Sequence, residues 1–233
     1  MARRARAQLN SPPLVLLHGL GTGPGAWRPQ VEAFGSSTRV LTPRLSLDER
    51  FTVEAEAARI RNALEPDVSV DVCGLSLGAL VALRMALDDP SRVHRLALCA
   101  GFADLPWPLA LLQAVLGAST ALAPSRVLRE QLVASVPKPE REIARRETAW
   151  LERRGLRAVF REGRRFDVRH ELDRLTMPVL VLVGERDRAN RRLSRALAER
   201  LGGELCIVRG AGHLVNLDAP EAFNQALRSF LDA

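Results

Sequence analysis

Gly74-Leu75-Ser76-Leu77-Gly78 places a serine between two glycines, directly after the apolar run Val70-Asp-Val-Cys73 and before the apolar stretch Leu77 to Leu87. A nucleophile at the tip of a sharp strand-to-helix turn needs strained dihedrals. The flanking Gly74 and Gly78 leave room where a Cβ would collide with a neighbouring strand or helix. Such a turn holds the Ser76 hydroxyl clear of a sheet, at a helix N-terminus whose dipole favours developing negative charge. A serine hydroxyl is a weak nucleophile at neutral pH without a base. Of the four histidines, His213 in Gly210-Ala-Gly-His213 follows the last strand-like run, at the sheet edge expected for Ser76. His94 opens a strand at its opposite end and His170 lies in a connecting segment, so both read as surface or capping residues. His18 reads as a brace for the turn that it begins.

An imidazole base needs an acid that fixes its tautomer and stabilises the imidazolium. Asp187, in Gly184-Glu-Arg-Asp187, stands after a strand at the same edge. Glu185 and Asp104 remain alternative acids, and Asp187 could instead cap the helix near Leu193. An oxyanion hole needs two backbone N–H groups. Leu77 supplies one, and Leu20 supplies the other from the turn His18-Gly19-Leu20-Gly21, where Gly19 and Gly21 permit a tight backbone.

Short apolar runs alternate with helical patterns along the chain and predict an α/β fold: a doubly wound, mostly parallel sheet of about six strands. The expected strands are 14–18, 39–42, 69–74, 93–100, 178–184 and 204–209. The expected helices between them are 26–34, 53–64, 77–87, 193–201 and 220–231. Both parities of several strands are apolar, as in strands covered by helices on two faces. The alternation breaks between 102 and 176, which reads as a cap of roughly four helices inserted into a core of 12–101 and 177–233. Residues 105–125 carry no charge. This stretch reads as a buried or site-covering helix, with an interfacial membrane contact as the alternative. Pro106, Pro108 and Gln113 argue against a membrane span.

The 233 residues suffice for one large core, and 47% hydrophobic content excludes intrinsic disorder. A net charge of +7 is almost all arginine, with Lys138 the one lysine, and no aromatics interleave with it, so nucleic-acid binding is excluded. Cys73, Cys99 and Cys206 lie in apolar runs and are expected to be buried thiols in a reducing compartment. No metal or other cofactor is expected. Residues 2–13 lack the apolar core of a signal peptide, which points to the cytoplasm.

Four stretches together resemble the α/β-hydrolase family: His18-Gly-Leu-Gly21, Gly74-Leu-Ser-Leu-Gly78, Val179-Leu-Val-Leu-Val-Gly-Glu-Arg-Asp187 and Gly210-Ala-Gly-His213. The chain order Ser76, Asp187, His213 matches that family, and the resemblance runs from about Pro12 to Leu231. It implies a catalytic triad of those residues and an esterase-like activity. Members usually begin with a two-strand hairpin, which here is expected to be missing or vestigial.

A serine at the elbow departs from relatives with an aspartate nucleophile and favours acyl transfer from an ester or thioester to water. Lactonase, carbon–carbon hydrolase and perhydrolase reactions share the triad and stay open, as does a non-catalytic receptor on the same scaffold. Trp107, Leu112 and Leu116 are candidates for an acyl pocket. Residues 138–174 carry twelve basic against eight acidic side chains. That balance suits an acidic acyl carrier protein, and the resemblance extends to small members that hydrolyse pimeloyl-carrier-protein methyl ester. The plainer reading is a solvated face of paired charges.

Overall fold

The computed structural model describes residues 11–120 and 123–233, so the expectation of a missing N-terminal hairpin falls on residues largely outside those described. Six strands form one sheet: β1 (Leu14–Leu17), β2 (Val40–Leu41), β3 (Val70–Leu75), β4 (Val93–Cys99), β5 (Val179–Gly184) and β6 (Glu204–Val208). Their order is β2-β1-β3-β4-β5-β6, and every neighbouring pair is parallel. The winding reverses between β1 and β3, which opens a crevice beyond the C-terminal ends of those two strands.

Every residue of β1, β3 and β5 is buried, which is why their sequences lack polar alternation. Parity divides them between two layers. Val15, Leu17, Val72 and Val181 pack with α2 (Val53–Ala63), α3 (Leu77–Asp88) and α8 (Arg188–Leu201). Leu14, Leu16, Leu75 and Leu182 pack on the other side with α1 (Arg28–Phe34) and α10 (Pro220–Leu231). There the Trp27 and Phe223 rings meet at 5.9 Å between centroids. Each fully buried Leu or Val contributes roughly 1.5–3 kcal/mol, so the two layers supply the rigidity of the sheet edge.

Two boundaries differ from expectation. α8 starts at Arg188, five residues before the predicted start, because Asp187 caps it by accepting from the Asn190 N–H. Its first turn is too polar to show a hydrophobic period. A short helix, α9 (Val215–Asp218), follows the His213 loop and was not foreseen. Cys73 and Cys99 are buried free thiols, and burial pushes the Cys73 thiol up to about 12. Cys206 is only half-buried because β6 is the edge strand.

Between β4 and β5 the chain forms α4 (Trp107–Ser119), α5 (Ser125–Ala134), α6 (Arg141–Glu147) and α7 (Arg153–Arg165). α4 lies against α7, so close that a Cβ on Gly163 would stand 2.8 Å from Gln113 Oε1. Glu147 fastens this insertion to the loop after β1, accepting from the Gly25 N–H at 2.9 and 3.0 Å, and Glu140 pairs with Arg28 at 2.7 Å. Of the expected buried or site-covering helix, the burial is corrected, while Gln113 of α4 does reach the cavity that holds Ser76. Trp107, Leu111, Leu112 and Val115 face outward, and no helix among the described residues is long and apolar enough to cross a membrane.

Candidate active site

β3 ends in the predicted turn. Ser76 has φ 55° and ψ −114°, a combination that costs on the order of 1–3 kcal/mol for a residue with a Cβ. The surrounding backbone enforces it. The Ser76 N–H donates to the Cys99 carbonyl at 2.8 Å, extending the β3–β4 ladder, and its own carbonyl accepts from Ala79 N–H at 2.9 Å in α3. A Cβ on Gly74 would lie 2.2 Å from the Gly78 oxygen, and one on Gly78 2.1 Å from the Leu17 oxygen. Strand, turn and helix therefore close only with glycine at both places.

β5 and β6 bring two further groups to the same edge. Asp187 follows β5 and is nearly buried, with 10% of its side chain exposed, against 43% for His213. Asp187 Oδ2 lies 2.6 Å from His213 Nδ1. Burial works against ionisation of Asp187, but hydrogen bonds from His213 and Asn190 prevail and hold its carboxyl below the usual carboxylate range. The Asn190 amide donates to both carboxylate oxygens, at 3.0 and 2.9 Å. Asp187 thus caps α8 and reaches His213 at once, so the two readings of it coexist. Glu185 is engaged elsewhere, accepting from the Gly210 N–H at 2.9 Å. The Asp104 carboxylate faces Arg169 at 3.8 Å instead, and His94 pairs with Asp71 near the start of β4.

Ser76 and His213 line one cavity of about 220 Å³, together with Leu20, Leu77, Phe102, Gln113, Val159, Phe160 and Asn190. No hydrogen bond joins the Ser76 hydroxyl to His213 among the described residues. A larger groove of about 420 Å³, beside Leu47–Arg50 and Trp150, contains none of these groups. Leu77 is the first residue of α3, where a backbone N–H has no intrahelical acceptor, and it lines the same cavity as Leu20. His18 braces that turn. Its Nδ1–H donates to the Gly19 carbonyl at 2.9 Å, and its Nε2 accepts from the Leu45 N–H at 3.1 Å. Burial lowers its pKa to about 4, so it stays a neutral brace.

The expected acyl-pocket residues are corrected. Trp107 and Leu112 are 76% and 53% exposed and do not line the cavity. Helical phase explains it: the face of α4 turned to the cavity carries Gln113, and Trp107 and Leu112 fall on other faces. The Leu116 side chain lies outside the described residues. Phe102, Val159 and Phe160 line the cavity instead. Sequence reasoning also missed Asn190 and Asp218, which accepts from the Gly212 N–H at 2.7 Å behind His213. Gln113 carried a usable signal, as the one amide in an otherwise uncharged stretch.

A family described as the alpha/beta hydrolase family matches residues 14–226. The chain is 31% identical over 211 residues to the pimeloyl-[acyl-carrier protein] methyl ester esterase of Nitrosomonas europaea, covering 76% of this chain and 78% of that one. It is 26% identical over 239 residues to the (E)-2-((N-methylformamido)methylene)succinate hydrolase of Acinetobacter baylyi, covering 94% and 90%. A thermophilic esterase from Thermogutta terrifontis, solved with malate bound, is similar with a TM-score of 0.80 at 25% identity, covering 95% and 90%.

Proposed function

The chain belongs to the alpha/beta hydrolase family and is a hydrolase, and we propose that it cleaves a carboxylic ester or thioester through an acyl-enzyme on Ser76. Ser76 Oγ attacks the carbonyl carbon while His213 Nε2 takes its proton. The Nδ1–H of the imidazolium donates to Asp187 Oδ2, which holds the ring and offsets its charge. The oxyanion accepts from the N–H groups of Leu77 and Leu20, each of which contributes on the order of 10²–10³ in rate. Collapse breaks the ester bond, and the leaving alcohol or thiol takes the proton from His213. Water, deprotonated by His213, then repeats the attack on the acyl-enzyme and releases the acid.

One observation carries this reading: a strained elbow serine shares a cavity with a histidine already hydrogen-bonded to a carboxylate. For this chemistry Ser76 Oγ and His213 Nε2 must come within hydrogen-bond reach when substrate binds, and catalytic hydrogen bonds often tighten only at that stage. Hydrolysis of short p-nitrophenyl esters tests the reading. Ser76→Ala and His213→Ala are expected to lose several orders of magnitude, and undiminished turnover in Ser76→Ala would overturn it.

The cavity is smaller than the roughly 300–1,000 Å³ typical of ligand pockets, which favours a small ester. An acyl carrier protein is the second reading, suggested by the name of the Nitrosomonas relative. Its expected docking arginines are engaged internally: Arg145 pairs with Glu130 and Glu142, and Arg141 donates to the Val136 and Ala134 carbonyls. Carrier-borne turnover that falls with salt and with charge reversal at Arg141 and Arg145 would favour that partner.

A further inference from the structure

We propose that the outer face of the α4–α7 pair docks on an anionic lipid bilayer. Trp107, Leu111, Leu112 and Val115 on α4 are exposed by 76, 55, 53 and 58%. α4 bears no charged residue along its length. Beside it, Arg157, Arg161 and Arg164 fall on one face of α7 and border a groove of about 270 Å³ between the two helices, floored by Ala114, Ala118 and Phe160. An apolar ridge and a basic ridge therefore lie side by side on one surface.

Several other arginines of the insertion have acidic partners: Arg145 and Arg146 with Glu142, Arg154 with Glu49, Arg169 with Asp167, Arg174 with Glu171, and Arg161, on the same face of α7, with Glu162 at 3.2 Å. Arg157 and Arg164 make no hydrogen bond or ion pair among the described residues. The surface thus joins two unpaired cations, Arg157 and Arg164, to an exposed apolar stripe, and contiguous exposed apolar side chains mark interaction sites. Interfacial helices use it: apolar side chains enter the acyl boundary, a tryptophan ring sits at headgroup level, and arginine stems lie along apolar surface while the guanidinium reaches phosphate.

Charge decides between occupants. A second copy seated symmetrically on this face would bring Arg157 and Arg164 against their own copies. A folded acidic protein would match the arginines, but the four apolar side chains stand out from the surface, and a bilayer accepts protruding side chains without a complementary hole. Because Gln113 of α4 lines the catalytic cavity, docking would set the wall of that cavity beside the lipid.

Co-sedimentation of the full chain with unilamellar vesicles tests this. Binding is expected to phosphatidylcholine vesicles containing phosphatidylglycerol, weaker to phosphatidylcholine alone, and released by salt. Arg157→Glu and Arg164→Glu are each expected to weaken it about tenfold. Trp107→Ala is expected to weaken it and to remove the blue shift of tryptophan emission on binding. Arg192→Glu and Arg195→Glu on α8 control for net charge and are expected to leave it unchanged. Absence of vesicle binding, equal loss in the α8 controls, or binding indifferent to Trp107 overturns the proposal. So does a dimer by light scattering, or an acidic protein bound through Arg157 and Arg164, without vesicle binding. Hydrolysis of a soluble ester without vesicles stays at the wild-type rate in these variants, so its loss in the wild type would count against the proposed chemistry and not against docking.

Discussion

His213 Nδ1 and Asp187 Oδ2 lie 2.6 Å apart although 26 positions separate the residues in the chain. The contact exists because β5 and β6 are parallel neighbours, so the loops that follow them leave the sheet at the same edge. The Asn190 amide grips both oxygens of the same carboxylate, which leaves Oδ2 aimed at the imidazole.

That geometry makes Asp187→Asn the sharpest conservative change. An amide in place of the carboxylate cannot offset the imidazolium and can present its NH₂ to Nδ1, favouring the wrong tautomer. We expect kcat on short esters to fall on the order of 10⁴-fold with thermal stability little altered. A loss under tenfold, measured by stopped-time assays, would assign the acid elsewhere.

His18 gives a pH signature in stability. The folded protein keeps it neutral down to about pH 4, while the unfolded chain takes up a proton near 6.5. Between those values the unfolded state binds the extra proton, so stability falls as the pH drops through the window and is complete above it. The full effect is roughly 3 kcal/mol. Urea unfolding across that range is expected to show this slope in the wild type, and a shallower one in His18→Asn, which starts from a lower stability.

Cavity size sets a chain-length preference. About 220 Å³ beside Phe102, Val159 and Phe160 gives room for a short acyl group, and a longer chain would extend beyond the cavity. We expect kcat/KM for p-nitrophenyl esters to drop at least about tenfold from butyrate to decanoate. Val159→Ala is expected to narrow that gap by enlarging the cavity.

The sequence disclosed the elbow because three constraints coincide within nine residues: a buried strand, a helix, and glycines at Gly74 and Gly78 where backbone oxygens leave no room for a Cβ. Asp187 and His213 were legible from their places after strand-like runs. The pocket was not. α4 is apolar on most of its faces, so periodicity cannot tell the face turned to the cavity from the face turned to solvent, and Trp107 and Leu112 fell on the wrong one. Asn190 was hidden for a different reason. It lies in the polar first turn of α8, where one amide looks like any capping residue until the fold sets it against Asp187.

Covalent capture at Ser76 tests the central claim most directly. Incubated with a fluorophosphonate, the protein is expected to gain one adduct by intact mass, mapped by peptide sequencing to Ser76, with no adduct in Ser76→Ala and slow labelling in His213→Ala. An adduct that persists in Ser76→Ala, or ester hydrolysis by a wild type that never labels, would contradict the account.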